Sequence, residues 1–430
     1  MIGIMLGPIA AKFIDANRFG SAEPGQQNAI TLGVARVVIG VQLVIAGFQL
    51  PAKYCKTRWL EMTIVLMPVM TIMWMATTAC IVLTIPKLTL LGSMVIGAAV
   101  TCTDPILSQA VAKGPFADKY VPRALRELIS AEAGANDGFA LAFLLLAVYL
   151  IRHADPKTLT FKTPEIAAEV LGGGEKAVEA VGEVLAPGVE AAPAIAAPVS
   201  EAFGGTFGQV TPAVGQLVKR AAEMAEGEME EGVGRLGGGF GRVMSAWFVE
   251  GWLYSILMSV AIGIVVGYGS MVMIKYGLKK KWIDGESFLL WPTAIGLFLI
   301  GICGVLATDD LLACFTAGCA LNWNGLYLEE SEKRHDEVNS CVDVLLNFGG
   351  FMYIGTIIPW TKFQMPDVTG ITVGRLFLLG ILVMFFRRVP AIMLLYKTMP
   401  KCVKDWKEAL FMGWFGPIGE CYLSQSHSNS

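Results

Sequence analysis

Long apolar stretches separated by short polar connections dominate the chain. A helix needs about 20 predominantly apolar residues to cross the hydrocarbon core of a membrane. Stretches that meet or approach this length lie at residues 28–50, 60–84, 88–112, 124–151, 247–274, 286–307, 309–327, 337–359, 371–396 and 408–423. The pattern therefore predicts an all-α polytopic membrane protein that crosses the bilayer with these segments.

The apolar stretch at residues 1–14 is too short to cross a membrane, and it lacks the basic start of a signal peptide. It has the character of the second half of a helix, so we expect the chain to be N-terminally truncated. The last span ends close to the polar residues 424–430. A non-functional or mispredicted fragment of a longer protein is therefore one alternative.

Residues 153–246 do not fit a membrane, because Ala, Gly, Glu and Pro replace the apolar pattern there. Small apolar residues scattered among Gly and Pro bury too little surface to build a packed core. We predict an extramembrane, disordered loop between a first transmembrane part, residues 1–152, and a second, residues 247–430. A regulatory or partner-binding role for the loop is the alternative.

Composition and charge agree with a membrane protein. The chain is 54% hydrophobic and 16% charged, against roughly 25% charged residues in soluble domains. Four basic clusters fall on one side of the predicted spans, which the positive-inside rule assigns to the cytoplasm. They lie within residues 53–58, 113–126, 275–281 and 397–407. The lipid bilayer is thus an expected partner, and no nucleic acid is expected.

Cysteine and histidine show no arrangement suited to a metal or a cofactor. The nine cysteines form no CxxC pair and mostly fall in apolar runs, where cysteine packs as a small side chain. The three histidines lie far apart. An intramembrane aspartyl protease would need a Gly-x-Gly-Asp run, and the sequence contains none. We therefore expect neither a cofactor nor an enzyme.

Two predicted spans carry helix-breaking signals. In the span 88–112, Pro105 removes a backbone donor and pushes Asp104 away from helical geometry, so we expect a break at residues 101–105. A second break is expected near residues 413–419, where Gly413, Gly416 and Pro417 occur together. Paired interrupted spans are the best sequence indication of a substrate site in a secondary transporter. A proline kink that only shapes the bundle is the alternative for each.

The span 124–151 contains two acids and an amide in an otherwise apolar helix. A charge at the bilayer centre costs at least about 2.5–3.5 kcal/mol, so Glu132 and Asp137 call for a functional explanation. At helical spacing, Glu132 and Asn136 form an i,i+4 pair, and Asp137 lies on the neighbouring stripe. The small residues around them allow another backbone to approach closely. A broken helix is therefore expected to pack against Asp137.

Glu132 needs a cationic partner if it is to remain charged in the membrane. Arg387 and Arg388 follow a long apolar run in the span 371–396 and are the natural candidates. A purely structural ion pair, which we place between Glu132 and Arg388, is favoured over a direct role in transport.

The sequence resembles the fungal-type plasma-membrane Na⁺(K⁺)/H⁺ antiporters, part of the monovalent cation:proton antiporter family. Motifs similar to those of this family occur in the same order along nearly the whole chain except the loop. They are Thr-Asp-Pro at 103–105, Ser-Ala-Glu through Asn-Asp-Gly at 130–138, Arg-Arg-Val-Pro-Ala at 387–391 and Gly-Trp-Phe-Gly-Pro-Ile-Gly at 413–419. Further similarity lies at 282–288, 309–313 and 343–347.

The resemblance implies an inverted-repeat sodium/proton antiporter fold with crossed, partly unwound helices, working as a homodimer in the plasma membrane. It implies that Asp137 binds the transported ion, with Asn136 before it and Thr103 and Asp104 at the crossing. The substrates would be Na⁺, with K⁺ or Li⁺ as further candidates, and H⁺. The Asn-Asp pair suggests electroneutral exchange. The missing first helix, the loop at 153–246 and the missing cytoplasmic tail depart from the family pattern.

A single buried carboxylate is sufficient for exchange. Desolvation favours its protonated form, and it binds either a proton or a hard cation, but not both. A cation channel would use similar acids, although no repeated filter-like loop occurs in the sequence.

Two further polar pairs have alternative explanations. Asp309 and Asp310 follow Thr308 at a predicted helix start, where N-capping accounts for them. Asp343 and Asn347 form an i,i+4 pair for which packing and relay roles are equally open.

Overall fold

The computed structural model describes residues 2–7, 10–12, 26–103, 115–153, 239–334, 338–358, 363–364, 366 and 370–416. Within these ranges the regular structure is helical, with no β-strand. The helices are α1 (Ile2–Leu6), α2 (Gln26–Phe48), α3 (Tyr54–Thr57), α4 (Trp59–Thr84), α5 (Leu90–Thr101), α6 (Pro115–Tyr120), α7 (Arg123–His153), α8 (Gly239–Lys280), α9 (Gly285–Leu306), α10 (Asp310–Leu321), α11 (Leu326–Lys333), α12 (Val338–Ile357), α13 (Val373–Phe386), α14 (Val389–Leu395) and α15 (Trp406–Trp414).

Six helical segments of the described residues are long and apolar enough to cross a membrane. They are Ala29–Phe48, Trp59–Thr84, Arg123–His153, Gly239–Lys280, Gly285–Leu306 and Val373–Thr398. Each overlaps a predicted span, which confirms the multi-pass membrane class. The other four predicted spans correspond to α5, α10, α12 and α15.

Short polar side chains begin several helices. Thr89, Asp284, Asp309 and Thr372 each accept a hydrogen bond from a backbone amide in the first turn of the helix that follows. These bonds satisfy amides that have no partner within the helix. Asp284 lies outside the spans, and its hydrogen bonds from Ser287 lower the pKa of its carboxyl.

Helix α10 ends at Leu321, earlier than the predicted span 309–327, because Asn322 redirects the chain. The Asn322 side chain donates to the Leu50 carbonyl at 3.0 Å and accepts from the Leu328 amide at 3.1 Å. Both ends of this connection are thereby fixed to neighbouring elements.

Helix α8 begins at Gly239, eight residues inside the segment predicted as loop, so the loop boundary at residue 246 is corrected. The physical reason is packing against α7. Val243 is fully buried against Leu145 and Tyr149. The remainder of the predicted loop, residues 154–238, lies outside the described residues.

The helices form two groups that meet at α7. The scaffold group consists of α2, α8, α9, α10 and α12, with α10 packed between α2 and α8. The core group consists of α4, α5, α7 and α13–α15, with α5 packed against both α4 and α7. Helix α7 also contacts α10 and α2, so its polar residues lie where the two groups meet.

The contact between α2 and α10 depends on glycine. A Cβ atom on Gly318 would lie 3.0 Å from the Gly47 Cα and 3.1 Å from the Phe48 amide nitrogen. These are backbone atoms, which cannot move without separating the two helices.

We predict that Gly318→Ala destabilises the protein by about 1–3 kcal/mol, because the added methyl group overpacks the contact. Gly269→Ala is the matched control, since a Cβ at this helical position meets nothing within 4 Å. The midpoint of thermal unfolding in detergent should fall for the first variant only. Equal midpoints for the two variants would contradict the close approach.

Candidate ion-binding site at an interrupted helix

The helix break predicted at residues 101–105 begins where α5 ends. Thr101 is the last helical residue, and Cys102 has extended backbone angles, φ −62° and ψ 154°. Thr103 follows at 1% exposure. Asp104 and Pro105 lie outside the described residues, so the structure describes the interruption up to Thr103.

Asn136 of α7 binds the interrupted chain through both ends of its side-chain amide. Its Nδ2 donates to the Thr103 Oγ1 at 2.7 Å, and its Oδ1 accepts from the Thr103 amide at 3.3 Å. Asn136 is fully buried. The amide thus supplies the partners that a chain leaving a helix inside a membrane requires.

Asp137 is the next residue, and its side chain is buried at 1% exposure. The adjacent Gly138 has no side chain, and the scaffold helix α10 approaches closely there. A Cβ on Gly138 would lie 2.8 Å from the Asp309 Oδ2. The structure therefore brings Asp309 to the same turn of α7 that carries Asp137.

The predicted capping role of Asp309 agrees with the geometry, but capping uses only one of its oxygens. The Asp309 Oδ1 accepts from the Leu312 amide at 3.1 Å. Its Oδ2 is buried and has no hydrogen-bond partner among the described residues. Proximity of Asp309 to α7 could not be predicted, because it depends on tertiary packing across Gly138.

Arg36 was not predicted as a site residue. A single arginine inside the apolar span 28–50 could have indicated one, because a charge in a membrane needs a partner. Its Nε donates to the Asp310 Oδ2 at 2.6 Å, and Asp310 is 7% exposed. The pair joins α2 to α10 and neutralises Asp310. The two neighbouring acids therefore differ in their partners. Asp310 forms an ion pair with Arg36, whereas Asp309 accepts a hydrogen bond from a helix amide.

Glu132 and Arg388 lie in direct contact, as the charge argument predicted. The Arg388 Nη1 and Nη2 donate to the two Glu132 carboxylate oxygens at 2.5 and 2.6 Å. Both residues are at most 3% exposed. The planar guanidinium matches the carboxylate in a two-bonded arrangement that a lysine could not reproduce.

The two arginines also bind the carbonyl ends of both interrupted helices. Arg387 donates to the Val100 carbonyl in the last turn of α5 at 2.6 Å, and to the Gly416 carbonyl just beyond α15 at 2.6 Å. Arg388 Nε donates to the Met412 carbonyl in α15 at 3.0 Å. Carbonyls at a helix C-terminus carry partial negative charge, which favours cations there.

The second predicted break is described as far as Gly416. Helix α15 ends at Trp414, and Gly416 lies directly beneath the Arg388 side chain. Gly413 packs against Val389, where a Cβ would lie 3.0 Å from the Val389 Cα. Pro417 lies outside the described residues. The interruption at Arg387 and Arg388, between α13 and α14, was not predicted.

Asp343 and Asn347 lie in α12, in the scaffold group. The Gln42 Nε2 of α2 donates to the Asn347 Oδ1 at 3.1 Å. This contact supports a packing role for Asn347 between α2 and α12. Among the described residues, no group of three His, Cys, Asp or Glu could hold a metal ion.

A polytopic helical protein with a buried Asn-Asp pair at an interrupted helix has the architecture of a secondary transporter. Comparison with known families agrees. The transmembrane region of the sodium/hydrogen exchangers matches residues 1–174 and 231–425. The chain therefore belongs to the sodium/hydrogen exchanger family.

Fungal antiporters are similar to 97% of this chain. A Na⁺/H⁺ antiporter of Saccharomyces cerevisiae is 30% identical over 419 residues, and the match covers 33% of that protein. Na⁺/H⁺ antiporter 2 of Zygosaccharomyces rouxii is 30% identical, with 40% covered. A probable Na⁺/H⁺ antiporter of Schizosaccharomyces pombe is 31% identical, with 43% covered. The chain thus spans less than half the length of these relatives.

We predict that Glu132→Gln destabilises the protein by about 3–5 kcal/mol, because it leaves Arg388 buried without a counter-charge. The matched control is Glu127→Gln, five residues earlier in α7, where the partner Arg123 has a side chain 79% exposed. Loss of that exposed pair should cost less than about 1 kcal/mol. Thermal unfolding in detergent measures both.

The double variant Glu132→Gln, Arg388→Gln tests whether the two groups act as a pair. Its destabilisation should be smaller than the sum of the two single effects, because neither charge remains uncompensated. Additive effects would contradict the pairing.

Proposed function

We propose that this protein is a secondary active transporter that exchanges Na⁺ for H⁺ across the membrane. The observation that carries the proposal is the two-bonded contact between Asn136 and Thr103, which lies beside the buried Asp137. It joins an acid-bearing helix to an interrupted one. Membership of the sodium/hydrogen exchanger family supports the same activity.

Competition at Asp137 is the proposed coupling step. Burial of the carboxylate disfavours its charged form, so the site strongly favours taking up either a proton or a cation. Hard monovalent cations prefer oxygen ligands, which the Thr103 hydroxyl and the Asp104 carboxylate would provide. Asn136 is proposed to hold the interrupted chain next to the carboxylate. Because one carboxylate cannot hold both ions, the two fluxes become linked.

Electroneutral exchange follows if Asp137 is the only group whose bound ion changes during transport. Either a proton or a monovalent cation neutralises it, and an empty, charged site would cross the low-dielectric region with a high energetic cost. The Glu132–Arg388 pair stays neutral in both states and keeps a structural role. K⁺ and Li⁺ are proposed as further substrates, and a homodimer in the plasma membrane as the working form.

We predict that Asp137→Asn abolishes Na⁺-driven proton movement in proteoliposomes, because the amide cannot exchange a proton for a cation. Protein yield and thermal stability should stay close to those of the unmodified protein, since the shape is conserved. Asp284→Asn is the control, because Asp284 is an exposed helix cap. Full exchange by Asp137→Asn would refute the assignment.

Competition also sets the pH dependence. Protons occupy Asp137 more as the pH falls, so the Na⁺ concentration for half-maximal exchange should rise. For one-for-one competition the rise approaches about tenfold per pH unit on the acid side of the site's titration. A half-saturating Na⁺ concentration that does not change between acidic and alkaline pH would contradict competition at a single carboxylate.

Substitutions of Thr103 distinguish a role in cation binding from a role in folding. Thr103→Ser keeps the hydroxyl that accepts from Asn136, and Thr103→Val removes it at nearly constant volume. We expect Thr103→Val alone to change the relative rates with Na⁺, K⁺ and Li⁺. An equal fall with all three cations, together with less protein in the membrane, would favour a structural role.

A further inference from the structure

A half-enclosed cavity of about 590 Å³ lies where α2, α7, α8 and α9 meet the start of α10. Its size corresponds to on the order of twenty water molecules at about 30 Å³ each, so a hydrated cation would fit. Residues 307–309 and the first residues of α10 form part of its wall. None of the site residues Asn136, Asp137 or Thr103 lines it directly.

The cavity follows one stripe of α7 toward Asp137. Leu141, Leu145 and Tyr149 line it, and they are spaced four residues apart. Residues at this spacing stack on one face of a helix. Asp137, four residues before Leu141, lies on the same face of α7. The cavity therefore descends along α7 and ends one helical turn above the proposed exchange site.

A buried acid that forms no ion pair among the described residues lies at the bottom of the cavity. Asp309 lines the cavity and is 6% exposed, and its Oδ2 has no hydrogen-bond partner there. The neighbouring Asp310 is paired with Arg36, which also lines the cavity. The Asp310–Arg36 pair is neutral, so Asp309 is the acid at the bottom that could bind a cation.

Glu250 lies at the mouth of the cavity. It is exposed, and the hydroxyl of the buried Tyr149 donates to its Oε2. The indole of Trp247 donates to the Ala142 carbonyl at 2.7 Å, which fixes this part of α8 against α7. Glu250 therefore has a defined position although it is exposed.

The depth of Glu250 agrees with a position at an aqueous surface. It precedes Lys280, at the other end of α8, by thirty residues, which is about 45 Å of helix. The hydrocarbon core of a membrane is only about 30 Å thick. Lys280 belongs to a basic cluster on the predicted cytoplasmic side, so the mouth opens toward the outer side.

We propose that this cavity is the outer access pathway to Asp137 and that Glu250 is a cation-binding group at its mouth. The inference rests on the proposed exchange function and adds a residue to it. An alkali cation, still partly hydrated, binds first near Glu250 and then moves toward Asp309 and the exchange site. A carboxylate at the mouth of a cavity with largely apolar walls raises the local cation concentration.

The test is the external Na⁺ dependence of exchange in outside-out membrane vesicles for Glu250→Gln. The glutamine oxygen still accepts from the Tyr149 hydroxyl, so the variant removes the charge and keeps the hydrogen bond. We expect the half-saturating external Na⁺ concentration to rise about fivefold at low ionic strength. The maximal rate should change much less, and choline chloride should reduce the difference, because salt screens exposed charges.

Two comparisons complete the experiment. Glu286→Gln removes an exposed acid from the start of α9, at the opposite end of the molecule, and should leave the external Na⁺ dependence unchanged. Glu250→Asp restores the charge and should restore most of the affinity. The midpoint of thermal unfolding is measured for each variant, to separate a loss of charge from a loss of packing.

The outcomes separate this inference from the exchange function. Wild-type exchange with an unshifted half-saturation for Glu250→Gln would overturn the inference alone. An equal fall in rate at every Na⁺ concentration, with a lower unfolding midpoint, would overturn it in favour of a structural hydrogen bond. If the unmodified protein shows no Na⁺-driven proton movement, the exchange function itself is contradicted, and this inference with it.

Discussion

Two consecutive arginines hold the interrupted helices of this protein together. Arg387 and Arg388 donate to carbonyls at the ends of both α5 and α15, and Glu132 neutralises one of the two charges. Open carbonyls inside a membrane need donors, and water cannot supply them there. The arginine cluster therefore supplies donors for carbonyls that the helix-breaking residues leave without partners.

In the proposed exchange, Asp137 is the group whose bound ion changes, and its polar neighbours on α7 are held by other partners. Glu132 lies on the same helix, but its charge is fully matched by Arg388 in a bidentate contact. Asn136 is occupied by Thr103. Glu132 and Asn136 are thus held by their own partners, and the adjacent Asp137 is the acid that is proposed to bind a proton or a cation.

The Glu132–Arg388 pair and the end of α5 are two features of the structure that could be predicted from the sequence. The charge of Glu132 requires a cation in the membrane, and Arg387 and Arg388 are the natural candidates because they follow a long apolar run, so the pair followed from energetics. The end of α5 at Thr101 followed from the proline that comes after it. These features depend on local backbone geometry and on the cost of burying a charge. Both effects follow from the residue types and their positions in the sequence.

Other features depend on packing between distant segments. The approach of Asp309 to α7 requires Gly138 to face α10, and the pairing of Arg36 with Asp310 requires α2 and α10 to be neighbours. The start of α8 at Gly239 depends on Val243 meeting Leu145 and Tyr149. Hydrophobic periodicity gives no information on which helices pack together, so these contacts could not be derived from it.

The most direct test of the account counts the protons that Na⁺ displaces. Purified protein in detergent is titrated with Na⁺ in weakly buffered solution, and the released protons are measured against bound Na⁺. Competition at one buried carboxylate predicts release that approaches one proton per Na⁺ on the acid side of the titration of the site and disappears in Asp137→Asn. Binding of Na⁺ to the unmodified protein without proton release at any pH would contradict the account.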